Sequence, residues 1–71
     1  MYRRMTLREL RESKFLTQLD VAYKVGVAPA TVSNWELGKQ EPRFAQIRAL
    51  AELFGVTPQE IQDAVNRTKQ A

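Results

Sequence analysis

The stretch that most constrains this chain runs from Thr17 to Trp35, TQLDVAYKVGVAPATVSNW. It reads as two short helices joined through a glycine. Thr17 is a helix N-cap, and Val21, Ala22 and Val25 follow at i, i+1 and i+4, giving one apolar face. Gly26 suits the positive φ with which helices commonly end, and Val27 then tucks back toward the core. Only Gly26 to Ala28 separate the two helices. Pro29 fits the first turn of the second one, where its missing N–H costs nothing. Val32 and Trp35 point inward at i, i+3, and Gly38 stops the helix.

The flanks carry the same kind of signal. Thr6 is an N-cap with Glu9 three residues on, as in a capping box, and Leu7 and Leu10 share a face, so a first helix runs from there to about Lys14. Phe15-Leu16 turns the chain into the second helix. The polar, proline-bearing segment Lys39 to Arg43 is a loop. A fourth helix begins near Phe44 and places Phe44, Ile47, Leu50, Ala51 and Phe54 on its apolar face until Gly55 ends it. Thr57-Pro58-Gln59-Glu60 combines an N-cap, proline at the first helical position and glutamate at the third. The fifth helix buries Ile61, Ala64 and Val65, then frays into a polar tail. No alternating β pattern of useful length appears, so the expected fold is all-α with five short helices. Residues 1–5 read as a flexible basic arm, 6–66 as the domain and 67–71 as a polar C-terminal tail.

Composition removes whole classes of chemistry. There is no cysteine and no histidine, which excludes disulfides, thiolate metal sites and imidazole catalysis. The carboxylates are scattered along polar helix faces, with no convergent acid, base or nucleophile. The expectation is therefore a non-enzyme with no metal and no cofactor. No apolar run approaches the length of a membrane span and the basic start leads into charged helix, which points to a soluble, cytoplasmic protein with no membrane partner. The net charge of +3 mildly favours a polyanionic partner. That surplus sits in residues 1–16, where Arg3, Arg4, Arg8, Arg11 and Lys14 face only Glu9 and Glu12. A solvated basic tail is the plain alternative.

With these elements placed, the chain resembles the Cro and phage-repressor type of helix-turn-helix domain, the XRE family. The matching residues are Leu10-Arg11-Glu12, Leu16-Thr17-Gln18, Val21-Ala22, Gly26-Val27, Thr31-Val32-Ser33, Trp35-Glu36, Gly38-Lys39 and Pro42, followed by Leu50-Ala51 and Leu53-Phe54-Gly55-Val56. They cover roughly residues 7 to 62. The resemblance implies a lambda-repressor-like fold with the helix-turn-helix in helices two and three. It implies double-stranded DNA as the partner, with helix three in the major groove.

A helix fits a groove about 12 Å wide when a second helix braces it across the backbone. That geometry exposes Pro29, Ala30, Ser33 and Asn34, with Thr31 at the edge, and the family's base-contacting positions fall on the same residues. Asn34 is the best single reader, because its amide can pair bidentately with adenine N6 and N7. Pro29 and Ala30 offer only apolar contact, most usefully to a thymine methyl, and Ser33 a base or phosphate contact. The plain alternatives are helix-start propensity for Pro29 and Ala30, and an ordinary exposed amide for Asn34. Thr17 and Gln18, at the positive end of helix two, are expected on phosphates, as the family uses this glutamine. Lys39 and Arg43 are the next phosphate candidates. In close relatives the arginine of a Pro-Arg-Phe segment approaches the minor groove, and Pro42-Arg43-Phe44 matches it. The resemblance also assigns Arg11 and Glu36 to a partly buried structural pair between helices one and three.

Phe15, Leu19 and Tyr23 form a second apolar stripe at i, i+4, i+8, away from the core face. Relatives usually have glycine at the position of Phe15 and polar residues at the other two. The stripe is a candidate contact for another protein or a second subunit; the alternative is that Tyr2 and Met5 fold back over it. The expected function is sequence-specific binding of double-stranded DNA by a transcriptional regulator, a repressor, on a palindromic operator. Half-sites about 34 Å apart call for a weak or DNA-induced homodimer, which in relatives forms near the fourth and fifth helices, here around Phe54 to Ile61. In the alternative reading the same small domain serves instead as an antitoxin, a phage control protein or a protein-interaction scaffold.

Overall fold

Three threonines start three of the helices by the same chemistry. The hydroxyls of Thr6, Thr17 and Thr57 accept the backbone N–H of Glu9, Asp20 and Glu60 at 3.3, 3.0 and 3.1 Å. The three carboxylates accept the threonines' own N–H groups at 3.0, 2.9 and 2.8 Å. Each reciprocal cap satisfies two donors that a helix start otherwise leaves to solvent, and the cap residue alone contributes about 1 kcal/mol. They open α1 (Leu7–Ser13), α2 (Gln18–Val25) and α5 (Pro58–Gln70). The other two helices are α3 (Pro29–Glu36), with its proline in the first turn, and α4 (Phe44–Phe54). The computed structural model describes residues 4–70, and among them there are five helices and no strand.

The apolar faces meet in one core. Leu7 and Leu10 of α1, Val21 and Ala22 of α2, and Val32 and Trp35 of α3 pack with Ile47, Leu50, Ala51 and Phe54 of α4 and Ile61, Ala64 and Val65 of α5. Val25 and Val27 flank that core, half-buried, as the apolar periodicity predicts. Gly26 adopts φ +84°, so its N–H and that of Val27 both turn back to the Ala22 carbonyl, at 2.8 and 3.0 Å. This closes α2 and sets the angle at which α3 departs.

Two expectations are corrected. Phe44 does not join the apolar face of α4: it is 85% exposed. It stands in the first turn, at the rim of an open groove with Pro58, Gln59 and Gln62, where α5 is only beginning. Nor does α5 fray at Asn66. It continues to Gln70 because Thr68 is buried and its hydroxyl accepts the Leu7 N–H at 3.0 Å while donating to the Ala64 carbonyl at 2.8 Å. In the segment expected to form a dimer contact, Phe54 and Ile61 belong to the core, leaving Gly55, Thr57, Pro58 and Gln59 exposed.

At the N-terminus, residues 1–3 of the expected arm, with Arg3 and Tyr2, lie outside the described residues. Met5 is half-buried against the core, and its carbonyl accepts from Arg67 Nη1 at 3.1 Å. Two of the basic residues nearby are paired internally, Arg8 with Glu12 at 3.1 Å and Arg11 with Glu36 at 2.6 Å.

Candidate nucleic-acid interface

The exposed surface of α3 is made by the residues that do not pack. Val32 and Trp35 are buried, and Pro29 and Ala30 are exposed, with Thr31, Ser33 and Asn34 half-exposed. The three-residue link from α2 keeps the two helices together, and α2 packs directly on α3. All five residues expected to read bases therefore lie on one short helix. None of them carries a charge.

Behind this helix, a polar cluster ties three elements. Arg11 of α1 donates from Nε to Glu36 Oε2 at 2.6 Å and from Nη2 to Glu36 Oε1 at 3.1 Å. Its Nη1 donates to the Leu16 carbonyl at 2.8 Å, fastening the link between α1 and α2. The side chains are 11% and 6% exposed, and among the described residues no buried side-chain polar atom lacks a partner. The hydrogen bonds it donates to Glu36 hold the guanidinium above its ordinary pKa, against the opposing effect of burial, so it stays charged at any physiological pH. The expected structural pair is thus present, with both carboxylate oxygens engaged.

Gln18 joins this cluster. Its Nε2 donates to Glu36 Oε1 at 2.9 Å, which commits one amide hydrogen and leaves the second and the Oε1 oxygen outside the bond. The glutamine is therefore not a free arm at the start of α2 but an amide held against α3. Gln18 and Ser33 line one hollow, together with Arg8, Arg11, Glu36 and Leu37. Thr17 caps α2 through its hydroxyl oxygen while its own N–H is engaged by Asp20. Of the expected free N–H groups at this helix end, those of Gln18 and Leu19 are the ones with no intrahelical acceptor by helix geometry. Asp20 also sets a negative charge beside them. Its carboxyl is held below the ordinary value of 3.8, first by the Thr17 backbone N–H, then by the Thr17 hydroxyl and the nearby Lys24.

The loop after α3 folds back on it. Gly38 takes φ +77°, and the N–H groups of Lys39 and Gln40 both return to the Asn34 carbonyl, at 2.9 and 3.3 Å. Lys39 is exposed beside the end of α3, and Arg43 is exposed at the start of α4, where its N–H donates to Gln46 Oε1 at 2.9 Å. Glu41 lies between them but its charge is offset by Lys69 at 2.8 Å, so the loop keeps a positive balance. Pro42 is buried and anchors the segment. Gln40 carries no charge or spacing signal that marks it as part of this surface, whereas the Thr17–Asp20 spacing is that of a capping box with aspartate in place of glutamate.

The stripe on the far side of α2 is open. Phe15, Leu19 and Tyr23 are 95%, 66% and 86% exposed, and Met5 packs against the core instead of over them. Tyr2, the other residue expected to cover the stripe, lies outside the described residues. Phe15 has φ +58°, a left-handed conformation that glycine adopts at no steric cost.

A profile of the helix-turn-helix family matches residues 7–61. The chain belongs to the Cro and phage-repressor type (XRE) helix-turn-helix family. A curated relative, the HTH-type transcriptional activator BcrR from Enterococcus faecalis, is 34% identical over 55 residues. The match spans 78% of this chain but 27% of the relative. No solved structure matches the chain significantly. Among the described residues no helix is long and apolar enough to cross a membrane.

Proposed function

We propose that this XRE domain binds double-stranded DNA sequence-specifically and regulates transcription, with α3 in the major groove. The observation that supports the reading is the α3 surface itself: uncharged and outside the core, it sets the apolar Pro29 and Ala30 beside the donors and acceptors of Thr31, Ser33 and Asn34, on a helix braced by α2 and by the Arg11–Glu36–Gln18 cluster. Asn34 reads adenine, Pro29 and Ala30 make apolar contact, and Thr31 and Ser33 add weaker hydroxyl contacts. Thr17, the second amide hydrogen of Gln18, Lys39 and Arg43 hold phosphates and supply most of the affinity. Two copies on a palindromic operator give two half-sites about 34 Å apart. The dimer is weak or DNA-induced, through the exposed residues between α4 and α5.

The sign of regulation follows from where the operator lies relative to a promoter. The domain is a repressor if bound DNA excludes polymerase; the relative from Enterococcus faecalis is named an activator. Phe15, Leu19 and Tyr23 offer a separate protein contact, and the alternative reading, an antitoxin or interaction scaffold, would use that side. Salt separates the two. DNA binding through this surface makes log K fall with log salt by about 0.9 for each phosphate contact. A binding constant to random and selected duplexes that shows no salt response, or no binding at all, favours the scaffold.

A further inference from the structure

We infer that Gln40 is a positioning residue for Asn34: it orients the asparagine amide and so sets the discrimination at the base pair that Asn34 faces. The inference rests on the proposal that Asn34 reads a base. Asn34 Nδ2 donates to Gln40 Oε1 at 3.3 Å, across six residues of chain. The contact is built by the backbone, because the reversal at Gly38 brings the Gln40 N–H back to the Asn34 carbonyl at 3.3 Å. Gln40 is exposed and outside the core, so nothing in the packing accounts for its place.

An asparagine amide on a helix surface turns broadly about χ2, and a half-turn exchanges its oxygen and nitrogen. Only one of the two orientations matches the donor N6 and acceptor N7 of an adenine approached from a fixed helix position. With Nδ2 turned to the Gln40 oxygen, the second N–H is left for N7 and Oδ1 for N6. Gln40 therefore reduces the freedom that Asn34 otherwise loses on binding, and it favours the orientation that fits adenine over those that fit other bases.

The test measures binding of the whole chain to duplexes obtained by selection from a random pool, with the Asn34-dependent base pair varied through all four possibilities. Far-UV circular dichroism and a melting curve confirm that each variant is folded. Asn34→Ala should erase the preference at that pair. Gln40→Ala should lower it by roughly 2- to 10-fold, the range of one modest hydrogen bond, and should have no further effect in the Asn34→Ala background. Gln40→Glu, which can only accept, should keep the preference while weakening all duplexes alike. If Asn34→Ala relaxes the preference but Gln40→Ala leaves it intact, the positioning role is wrong and the reading of Asn34 stands. A Gln40→Ala effect that persists without Asn34 makes Gln40 a reader in its own right and overturns the positioning role. An Asn34→Ala variant with unchanged preference overturns both.

Discussion

Arg11 and Glu36 meet in a two-bond fork, Nε to Oε2 at 2.6 Å and Nη2 to Oε1 at 3.1 Å, that joins the first helix to the last turn of α3. The fork fixes α3 from behind, and Glu36 in turn holds Gln18 of α2.

Removing one side of this pair should leave a charge buried and unpaired. Arg11→Ala or Glu36→Ala is expected to cost about 3–5 kcal/mol in urea unfolding. A domain of 71 residues holds only about 4–11 kcal/mol, so either variant approaches the unfolding limit at ambient temperature. The double variant Arg11→Met with Glu36→Leu should lose much less, because it leaves no orphan charge.

Phe15 and Gly26 both adopt positive φ, at +58° and +84°, and predict opposite outcomes. Phe15 is exposed, so Phe15→Gly relieves a left-handed conformation without losing packing and should stabilise by about 0.5–1 kcal/mol. A Cβ at Gly26 meets nothing within 4 Å, so Gly26→Ala should destabilise by about 1–2 kcal/mol through backbone strain alone. Thermal melts of both variants read the difference in sign.

Asp20 contributes through its charge at the start of α2. Its folded-state carboxyl titrates below the ordinary value of 3.8, so the unfolded chain takes up the proton first as pH falls. The stability it adds is full above 3.8 and declines as pH drops through the folded value. Asp20→Asn keeps an acceptor oxygen but not the charge. Its stability deficit against the parent should be present at neutral pH and vanish in acid, which urea titrations at a series of pH values would measure.

The exposed pair Leu19 and Tyr23 bears on association, not folding. Leu19→Ser with Tyr23→Ser should change stability by no more than about 0.5 kcal/mol per residue, as exposed positions usually do. Sedimentation should show less self-association if the stripe joins two copies. An unchanged sedimentation profile dismisses a homotypic contact there.

Much of the fold could be read from the chain because its signals are local. Thr6, Thr17 and Thr57 mark helix starts through contacts three residues away, and Gly26 and Gly55 mark ends through their own φ. What escaped notice depends on distance along the chain. The last turns of α5 look like a polar tail until Thr68 is seen to accept the N–H of Leu7, 61 residues earlier. Phe44 fits the apolar period of α4, yet periodicity does not tell how far a neighbouring helix extends. On the candidate interface, the exposed face of α3 follows from Val32 and Trp35 being inward, which leaves Pro29, Ala30, Ser33 and Asn34 outward with Thr31 at the edge. The tie from Gln18 to Glu36 and the one from Asn34 to Gln40 are side-chain bonds set by the angles between elements, and no spacing encodes them.

The most direct test of the proposed role is selection of bound duplexes from a random pool, run in parallel with the parent chain, Asn34→Ala and Arg43→Ala. The account predicts an enriched motif for the parent, loss of preference at one base pair for Asn34→Ala, costing about 1–3 kcal/mol there, and a near-uniform weakening across sequences for Arg43→Ala. No enriched motif, or the same motif at undiminished strength in Asn34→Ala, would contradict it.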